Sequence, residues 1–144
     1  MIHAIIIEDE HIAQQNLLET LKNTGFDVEV DAILSSVKES IEYLNSGKKT
    51  DIIFSDVQLA DGLSFDIFRE VSVTTPVIFI TGFDRFMLYA FENNGIDYLL
   101  KPFSKDRFES AVQKAIQRIT AEKSNSGLTL ETLKESVQES RGTL

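Results

Sequence analysis

The sequence predicts an α/β fold in which a parallel sheet is covered by helices on both faces. Three observations lead to this class. Five short apolar runs alternate with segments of helical periodicity along the chain. The run at residues 2–7 is continuously apolar, as is typical of a strand buried on both faces. Several runs end in residues that could share one site, and parallel strands bring such ends to the same edge of a sheet.

Local signals in the sequence predict five strands and five helices. The predicted strands are residues 2–7, 26–33, 51–55, 77–80 and 96–100, and the predicted helices are residues 11–22, 37–44, 63–71, 85–93 and 108–119. The apolar face of the first helix consists of Ala13, Leu17, Leu18 and Leu21. The second strand alternates acidic with apolar residues, which predicts an edge strand. The spacing of Ser36 and Glu39 predicts a capping box at the start of the second helix.

The second half repeats the alternation. The apolar face of the third helix consists of Leu63, Ile67, Phe68 and Val71, and that of the fifth consists of Phe108, Val112, Ala115, Ile116 and Ile119. Pro76 breaks the chain before the fourth strand, and the turn signal at residues 93–95 closes the fourth helix. Right-handed crossovers between five strands predict a flavodoxin-like, five-stranded parallel sheet of strand order 2-1-3-4-5.

The fourth helix carries an unusual apolar run at residues 86–91. Successive helical residues are rotated by about 100°, so six neighbours cannot all face one core. Some of these side chains are therefore predicted to form a solvent-facing interaction patch beside Tyr98.

Composition excludes several functional classes. A chain of 144 residues, 42% hydrophobic and 26% charged, is expected to form one soluble domain. The net charge of -9 argues against nucleic-acid binding by this piece alone. The absence of cysteine fits a cytoplasmic protein. No apolar run approaches the roughly 20 residues of a membrane span, so no membrane association is expected.

Charged and polar residues follow four of the five predicted strands. Glu8 and Asp9 follow the first, Asp56 the third, Thr81 the fourth and Lys101 the fifth. Clustered carboxylates favour Mg²⁺, which protein sites bind through one or two carboxylates together with waters and phosphate oxygens. A carboxylate beside bound metal can attack a phosphoryl group to form an acyl phosphate, while a lysine and a hydroxyl contact the phosphoryl oxygens. Asp56 is the predicted nucleophile, and Lys101 and Thr81 are the predicted phosphoryl contacts.

These residues resemble the receiver domain of two-component response regulators over positions 2 to about 120. The motif residues are Glu8-Asp9, Asp56, Thr81-Gly82, Tyr98 and Lys101-Pro102-Phe103. The resemblance implies that a histidine kinase phosphorylates Asp56, and that Lys101 binds the phosphoryl group. It further implies that Thr81 and Tyr98 reorient as the switch and that the bond before Pro102 is cis. The Mg²⁺ ligands that it implies are Glu8, Asp9, Asp56 and the backbone carbonyl of Gln58. Such a domain catalyses only its own phosphorylation and dephosphorylation, so it is not an enzyme in the usual sense.

Residues 90–103 are similar to the class of receivers whose output is a LytTR DNA-binding domain. We therefore expect residues 1–122 to form the receiver and residues 123–144 to form a linker or tail, helical in part, with a flexible break at residues 124–127. The tail would lead to an output domain absent from this chain, through which alone DNA would be bound. The resemblance also implies that the face formed by the fourth helix, fifth strand and fifth helix pairs two activated molecules in a homodimer or contacts an output domain.

Three other functional classes compete with the receiver. A flavin or dinucleotide carrier would need a phosphate-binding first loop, and the acidic residues at positions 8–10 exclude it. A Mg²⁺-dependent aspartyl-phosphate phosphatase would have a second aspartate where Gln58 stands. A docking module that never accepts phosphate is the third. Glu10 is expected to be an acid of the first helical turn, and His3 and His11 are expected to be structural, without partners for a metal.

Overall fold

The computed structural model describes residues 1–92 and 95–126, with side chains described up to residue 122. The strands are β1 (Ile2–Ile7), β2 (Val28–Leu34), β3 (Ile52–Ser55), β4 (Gln58–Leu59), β5 (Gly62–Leu63), β6 (Val77–Thr81) and β7 (Gly95–Leu100). The helices are α1 (His11–Asn23), α2 (Val37–Asn45), α3 (Phe65–Glu70), α4 (Met87–Glu92) and α5 (Lys105–Ser126). No helix in the described ranges is long and apolar enough to cross a membrane.

The main sheet has the order β2-β1-β3-β6-β7, and every neighbouring pair is parallel. Because β6 and β7 are the fourth and fifth strands of this sheet, the order is the predicted 2-1-3-4-5. The alternating strand β2 lies at an edge, as predicted. Strand β1, which is apolar except for His3, lies inside the sheet, between β2 and β3.

Two apolar cores cover the faces of the sheet, because successive side chains of a strand point to opposite faces. On one face, Ile6, Phe54 and Ile80 pack against residues of α1 and α5. On the other, Ile5, Ile7, Ile53 and Phe79 pack with residues of α2, α3 and α4. Strands buried on both faces explain the continuous apolar runs, and polar residues gather where these strands end.

The chain after β3 differs from the prediction. Leu63 was expected to begin the third helix, but it pairs with Gln58 in the two-stranded hairpin of β4 and β5. Helix α3 starts only at Phe65 and spans six residues. The predicted apolar residues do face the core: Ile67 and Val71 are buried, and Leu63 and Phe68 pack against the same cluster. Phe65, which the prediction left out, is buried with them. Periodicity in the sequence could not distinguish the hairpin from the start of the helix, because a two-residue strand is too short to show an alternating pattern.

The helix boundaries bring further corrections. Glu10 is the N-cap residue of α1 rather than a residue of its first turn. Helix α4 begins at Met87, not at residue 85. Helix α5 continues to Ser126, so residues 124–126 are helical where a flexible break was predicted. The remainder of the predicted tail, residues 127–144, lies outside the described residues, as do residues 93 and 94 of the predicted turn.

The predicted capping box at α2 is present in a modified form. Ser36 is the N-cap residue, and its Oγ accepts from the N–H of Glu39 at 3.0 Å. The Glu39 carboxylate accepts from the N–H of Ser35, one residue before the cap, at 3.0 Å. The residues at the start of α2 therefore cap the helix locally.

Candidate functional site

The candidate site lies at the carboxyl edge of the main sheet. Glu8 follows β1, Asp56 follows β3, Thr81 ends β6 and Lys101 follows β7. Backbone hydrogen bonds continue the strand pairing into these positions. The N–H of Asp56 donates to the carbonyl of Ile7 at 2.8 Å, and the N–H of Lys101 donates to the carbonyl of Thr81 at 2.8 Å. Strand register thus places residues far apart in sequence next to each other.

Three charged groups from three strand ends meet at this edge. The Nζ of Lys101 lies 2.7 Å from Oε1 of Glu8 and 3.1 Å from Oδ2 of Asp56. The Glu8 side chain is buried, and those of Asp56 and Lys101 are partly buried. One cation is therefore shared by two carboxylates in a region that water reaches poorly, where charge interactions are stronger than at the surface.

Burial raises the pKa of Glu8 to about 7, because it outweighs the hydrogen bond from Lys101, and the charge of Asp56 adds to the rise. Burial by itself would lower the pKa of Lys101, but the carboxylates of Glu8 and Asp56 raise it above its usual value. The cluster thus holds a charged lysine beside a carboxyl group that exchanges its proton near neutral pH.

The Asp56 carboxylate is oriented from both sides. Its Oδ1 accepts from the N–H of Val57 at 2.6 Å and, more weakly, from the N–H of Gln58 at 3.4 Å. Its Oδ2 contacts Lys101. A cavity of about 430 Å³ borders Glu8, Asp56 and Lys101, and its walls include residues of α1 and the Pro102-Phe103 segment. The peptide bond between Lys101 and Pro102 is cis, as predicted.

Thr81 is fully buried, and its Oγ1 has no hydrogen-bond partner among the described residues. A buried hydroxyl usually has a partner, so the Thr81 hydroxyl is available to hydrogen-bond a group that enters the site. Beside it, a Cβ added to Gly82 would meet no atom within 4 Å, so the space next to this strand end is open.

The residues present fit a bound Mg²⁺, a hard cation that takes oxygen ligands. Glu8 and Asp56 supply two carboxylates at the same edge, and their only neutralising partner in the described part of the chain is Lys101. Asp9 follows Glu8 directly, with its N–H donating to Glu8 Oε2 at 3.0 Å, but its own carboxylate is not among the groups that contact Lys101. Gln58 begins β4, two residues after Asp56.

Tyr98, the predicted switch aromatic, is buried in β7. Its hydroxyl donates to the carbonyl of Phe83, two residues after Thr81. The Phe83 ring in turn lies 4.7 Å from the guanidinium carbon of Arg85. Tyr98 is thus connected to the loop that follows the unpaired threonine.

Sequence reasoning missed an ion-pair network between β7 and α5. The buried carboxylate of Asp97 accepts two hydrogen bonds from the guanidinium of Arg107, at 2.8 and 2.5 Å, and Lys114 lies 3.3 Å away. Burial raises the pKa of Asp97, but the hydrogen bonds from Arg107 and from the N–H of Tyr98 outweigh it and hold the pKa below its usual value. The sequence did contain a signal for this ion pair. Asp97 is an acid within an apolar strand, and Arg107 follows ten residues later on the next helix.

The expectation that His3 has no partners for a metal was wrong, because two carboxylates lie beside its ring. Its Nδ1 lies 3.0 Å from Asp31 and 3.8 Å from Glu29, both on β2. His3 pairs with Glu29 across the strands, and a register shift after Ala4 leaves Asp31 next to the same ring. This partner set was hidden in the sequence because strand register cannot be read from spacing along one chain.

A family model described as response regulator receiver domain matches residues 4–113. The sensory transduction protein LytT of Bacillus anthracis is 32% identical over 117 residues, which cover 79% of this chain and 47% of that protein. The transcriptional regulatory protein LytR of Staphylococcus aureus is 37% identical over 114 residues, which cover 77% of this chain and 46% of that protein. The chain spans about half the length of the curated relatives it matches. These LytT- and LytR-type relatives support the LytTR class that the sequence indicated.

Among solved structures, the response regulatory domain of MrkE from Klebsiella pneumoniae superposes with a TM-score of 0.75 at 26% identity. The match covers 83% of this chain and 99% of that domain. The two chains therefore share the five-stranded parallel α/β fold.

Proposed function

Because this chain belongs to the response regulator receiver domain family, we propose that it is a signalling switch whose phosphoacceptor is Asp56. The observation that carries the proposal is the position of the Asp56 carboxylate. One of its oxygens accepts from the N–H of Val57 and the other contacts Lys101, and the buried hydroxyl of Thr81 lies unpaired at the neighbouring strand end. A nucleophile, a cation and a hydroxyl are thus available at one edge of the sheet.

In the proposed reaction a carboxylate oxygen of Asp56 attacks the phosphorus of a phosphohistidine on the partner kinase. The new oxygen–phosphorus bond forms as the phosphorus–nitrogen bond breaks, and the histidine leaves with its electron pair. Lys101, already 3.1 Å from Asp56, neutralises charge on the phosphoryl oxygens. Bound Mg²⁺ would supply further charge neutralisation and orient the phosphoryl group. Its proposed ligands are Glu8, Asp9, Asp56 and the backbone carbonyl of Gln58.

The switch would begin at Thr81. Its unpaired Oγ1 can donate to a phosphoryl oxygen on Asp56, which would move the start of the loop after β6 toward the site. Tyr98 is hydrogen-bonded to Phe83 in that loop, so it would respond to the same movement. A local change of charge would then alter the packing of α4 against β7.

The partners proposed from the family are a histidine kinase and a second copy of this chain, in the cytoplasm. The dimer surface we propose includes the α4 patch, defined as Met87, Leu88, Tyr89 and Phe91, all of which are exposed. Exposed apolar residues are normal singly, but four on one short helix are typical of an interaction site. Residues 127–144 would lead to a LytTR-type output domain, through which DNA would be bound.

Intact-mass measurement tests the phosphoacceptor. The protein is incubated with Mg²⁺ and a small acyl phosphate or phosphoramidate. We expect addition of one phosphoryl group to the wild type and none to Asp56→Asn. The matched control is Asp51→Asn. Asp51 is a buried aspartate directly before β3, and its carboxylate accepts from the N–H of His3; this variant should still be labelled. Labelling of Asp56→Asn would refute the assignment.

The same experiment separates the alternatives. Sustained consumption of the phosphodonor without a labelled protein would favour the phosphatase. Absence of both labelling and turnover would favour a docking module. The receiver is preferred because Gln58 stands where the phosphatase would have its second aspartate.

A further inference from the structure

The N-terminus of α2 is capped by a residue from a different part of the chain. The N–H of Val37 donates to Oδ1 of Asp61 at 2.8 Å, and the N–H of Lys38 donates to Oδ2 of the same carboxylate at 3.2 Å. Ser36 Oγ accepts from the next free N–H, that of Glu39. A negative charge at this position also interacts favourably with the helix dipole. Hydrogen bonding to the helix, first from Val37, lowers the pKa of Asp61.

Asp61 lies in the turn between β4 and β5. Gln58 pairs with Leu63 and Leu59 with Gly62, so residues 60 and 61 form the two-residue loop of the hairpin. The backbone of Gly62 has a φ of 148°, and a Cβ there would meet Asp66 Oδ2 at 3.3 Å and Val37 Cγ2 at 3.7 Å. The hairpin tip is therefore packed against the first residue of α2 as well as hydrogen-bonded to it.

The other end of the same segment is attached to the candidate site. The N–H of Val57 donates to the Asp56 carboxylate, and the carbonyl of Val57 accepts from the N–H of Ser64 at 2.8 Å. Residues 57–64 thus form a hairpin that is hydrogen-bonded to Asp56 at its base and to the start of α2 at its tip. Gln58, whose carbonyl is a proposed Mg²⁺ ligand, lies between the two attachments.

We propose that Asp61 is a positioning residue for the metal site: by capping α2 it holds the β4–β5 hairpin where the backbone carbonyl of Gln58 can reach Mg²⁺. This inference rests on the proposed function, because it assumes the metal site. Asp61 touches neither the metal nor the phosphoryl group and acts through the hairpin backbone. Two attachment points restrict the hairpin more than one, so less ordering remains to be done when the metal binds.

The test compares Mg²⁺ affinity, measured by calorimetry, in the wild type, Asp61→Ala, Asp61→Asn and Ser36→Ala. Ser36→Ala is the matched control, because it removes a cap from the same helix end without touching the hairpin and should cost about 1 kcal/mol of stability. We expect Asp61→Ala to weaken Mg²⁺ binding about 10-fold, the lower end of the loss that follows removal of residues supporting metal ligands. Asp61→Asn keeps one acceptor oxygen, so its Mg²⁺ affinity should lie between those of the wild type and Asp61→Ala. Ser36→Ala should keep wild-type affinity.

Amide hydrogen exchange without metal gives a second readout. Asp61→Ala should speed exchange in residues 57–64, whereas Ser36→Ala should leave these amides unchanged. Equal Mg²⁺ affinity in the wild type and Asp61→Ala would overturn this inference alone, as would an equal loss in Ser36→Ala, which would indicate a general effect of stability. A wild type that binds no Mg²⁺ would overturn the proposed metal site and this inference together.

Discussion

The Nζ of Lys101 lies 3.1 Å from Oδ2 of Asp56 while the same ammonium group lies 2.7 Å from Glu8. The lysine is therefore shared between two of the side chains proposed to bind Mg²⁺. A divalent cation entering the site would take its place beside them and leave Lys101 free to contact a phosphoryl group.

Replacing Lys101 with Ala should destabilise the metal-free protein by about 1–3 kcal/mol, because Glu8 and Asp56 lose a charged hydrogen-bond donor. Magnesium affinity should be unchanged or higher, since the competing cation is gone. Labelling by a small acyl phosphate should slow. Thermal unfolding, calorimetry and intact mass measure the three effects. Lys105→Ala, which removes an exposed cation next to this segment, is the control. A fall in Mg²⁺ affinity for Lys101→Ala would contradict this division of roles.

Magnesium should raise the melting temperature, because it binds the folded site and relieves repulsion between acids. At a concentration ten times its dissociation constant the gain is about 1.4 kcal/mol, or roughly 3–6 °C for a domain of this size. Asp9→Asn should reduce the shift, whereas Glu10→Gln, which removes the next acid along the chain, should keep it. An unchanged wild-type melt in millimolar Mg²⁺ would argue strongly against the metal site.

Arg107→Ala should destabilise the fold by about 2–3 kcal/mol, because among the described side chains it leaves the buried Asp97 with only Lys114 as a cationic partner. Lys114 is more exposed and farther from the carboxylate, so Lys114→Ala should cost less than about 1 kcal/mol. Urea unfolding of the two variants measures this difference. Equal losses of unfolding free energy in the two variants would show that the bidentate contact of Arg107 stabilises the fold no more than the contact of Lys114.

The same network predicts a pH dependence. The folded-state pKa of Asp97 lies below its ordinary value of 3.8, so its stabilisation is present above that pH and is lost as the pH falls through the folded-state pKa. Asp97→Asn should remove this contribution. Arg107→Ala should raise the pKa of Asp97 and move acid unfolding to higher pH. Circular dichroism during acid titration would record the midpoints, and an unmoved midpoint in Arg107→Ala would count against the assignment.

Dimerisation through the α4 patch should be lost in Leu88→Glu and Phe91→Glu. Leu88 is the most exposed large apolar residue of the patch, at 80%, and Tyr89 is a poorer target because its ring packs on Phe65. Sedimentation with Mg²⁺ and beryllofluoride should show a wild-type dimer whose dissociation constant rises about 10-fold or more in these variants. Ile12→Glu adds the same charge at an exposed apolar residue of α1 and should leave the dimer intact. If Ile12→Glu weakens the dimer equally, charge repulsion rather than the patch is responsible.

Most of the fold could be predicted because a strand that is buried on both faces has apolar residues at consecutive positions. Ile5 and Ile6 must both be apolar, since one faces each core. Parallel strands also place their carboxyl ends at one edge, so Glu8, Asp56, Thr81 and Lys101 could be assigned to a common site before any distance was known. The short hairpin that pairs Gln58 with Leu63 could not be predicted, because a two-residue strand has no periodicity.

The sequence by itself determined the strands, the two apolar faces of the sheet and the set of residues at the site edge, because these follow from patterns within short stretches of chain. The sheet order could be predicted from the handedness of the crossovers and the flavodoxin-like arrangement. Only the tertiary structure decided which side chains touch. It placed Lys101 between Glu8 and Asp56, paired Asp97 with Arg107, put His3 beside Asp31, and brought Asp61 to the start of α2. Each of these contacts depends on strand register or on where a turn packs, and a shift of one residue would send the side chain to the other face. Such choices are made by the packing of the whole domain, not by any local segment.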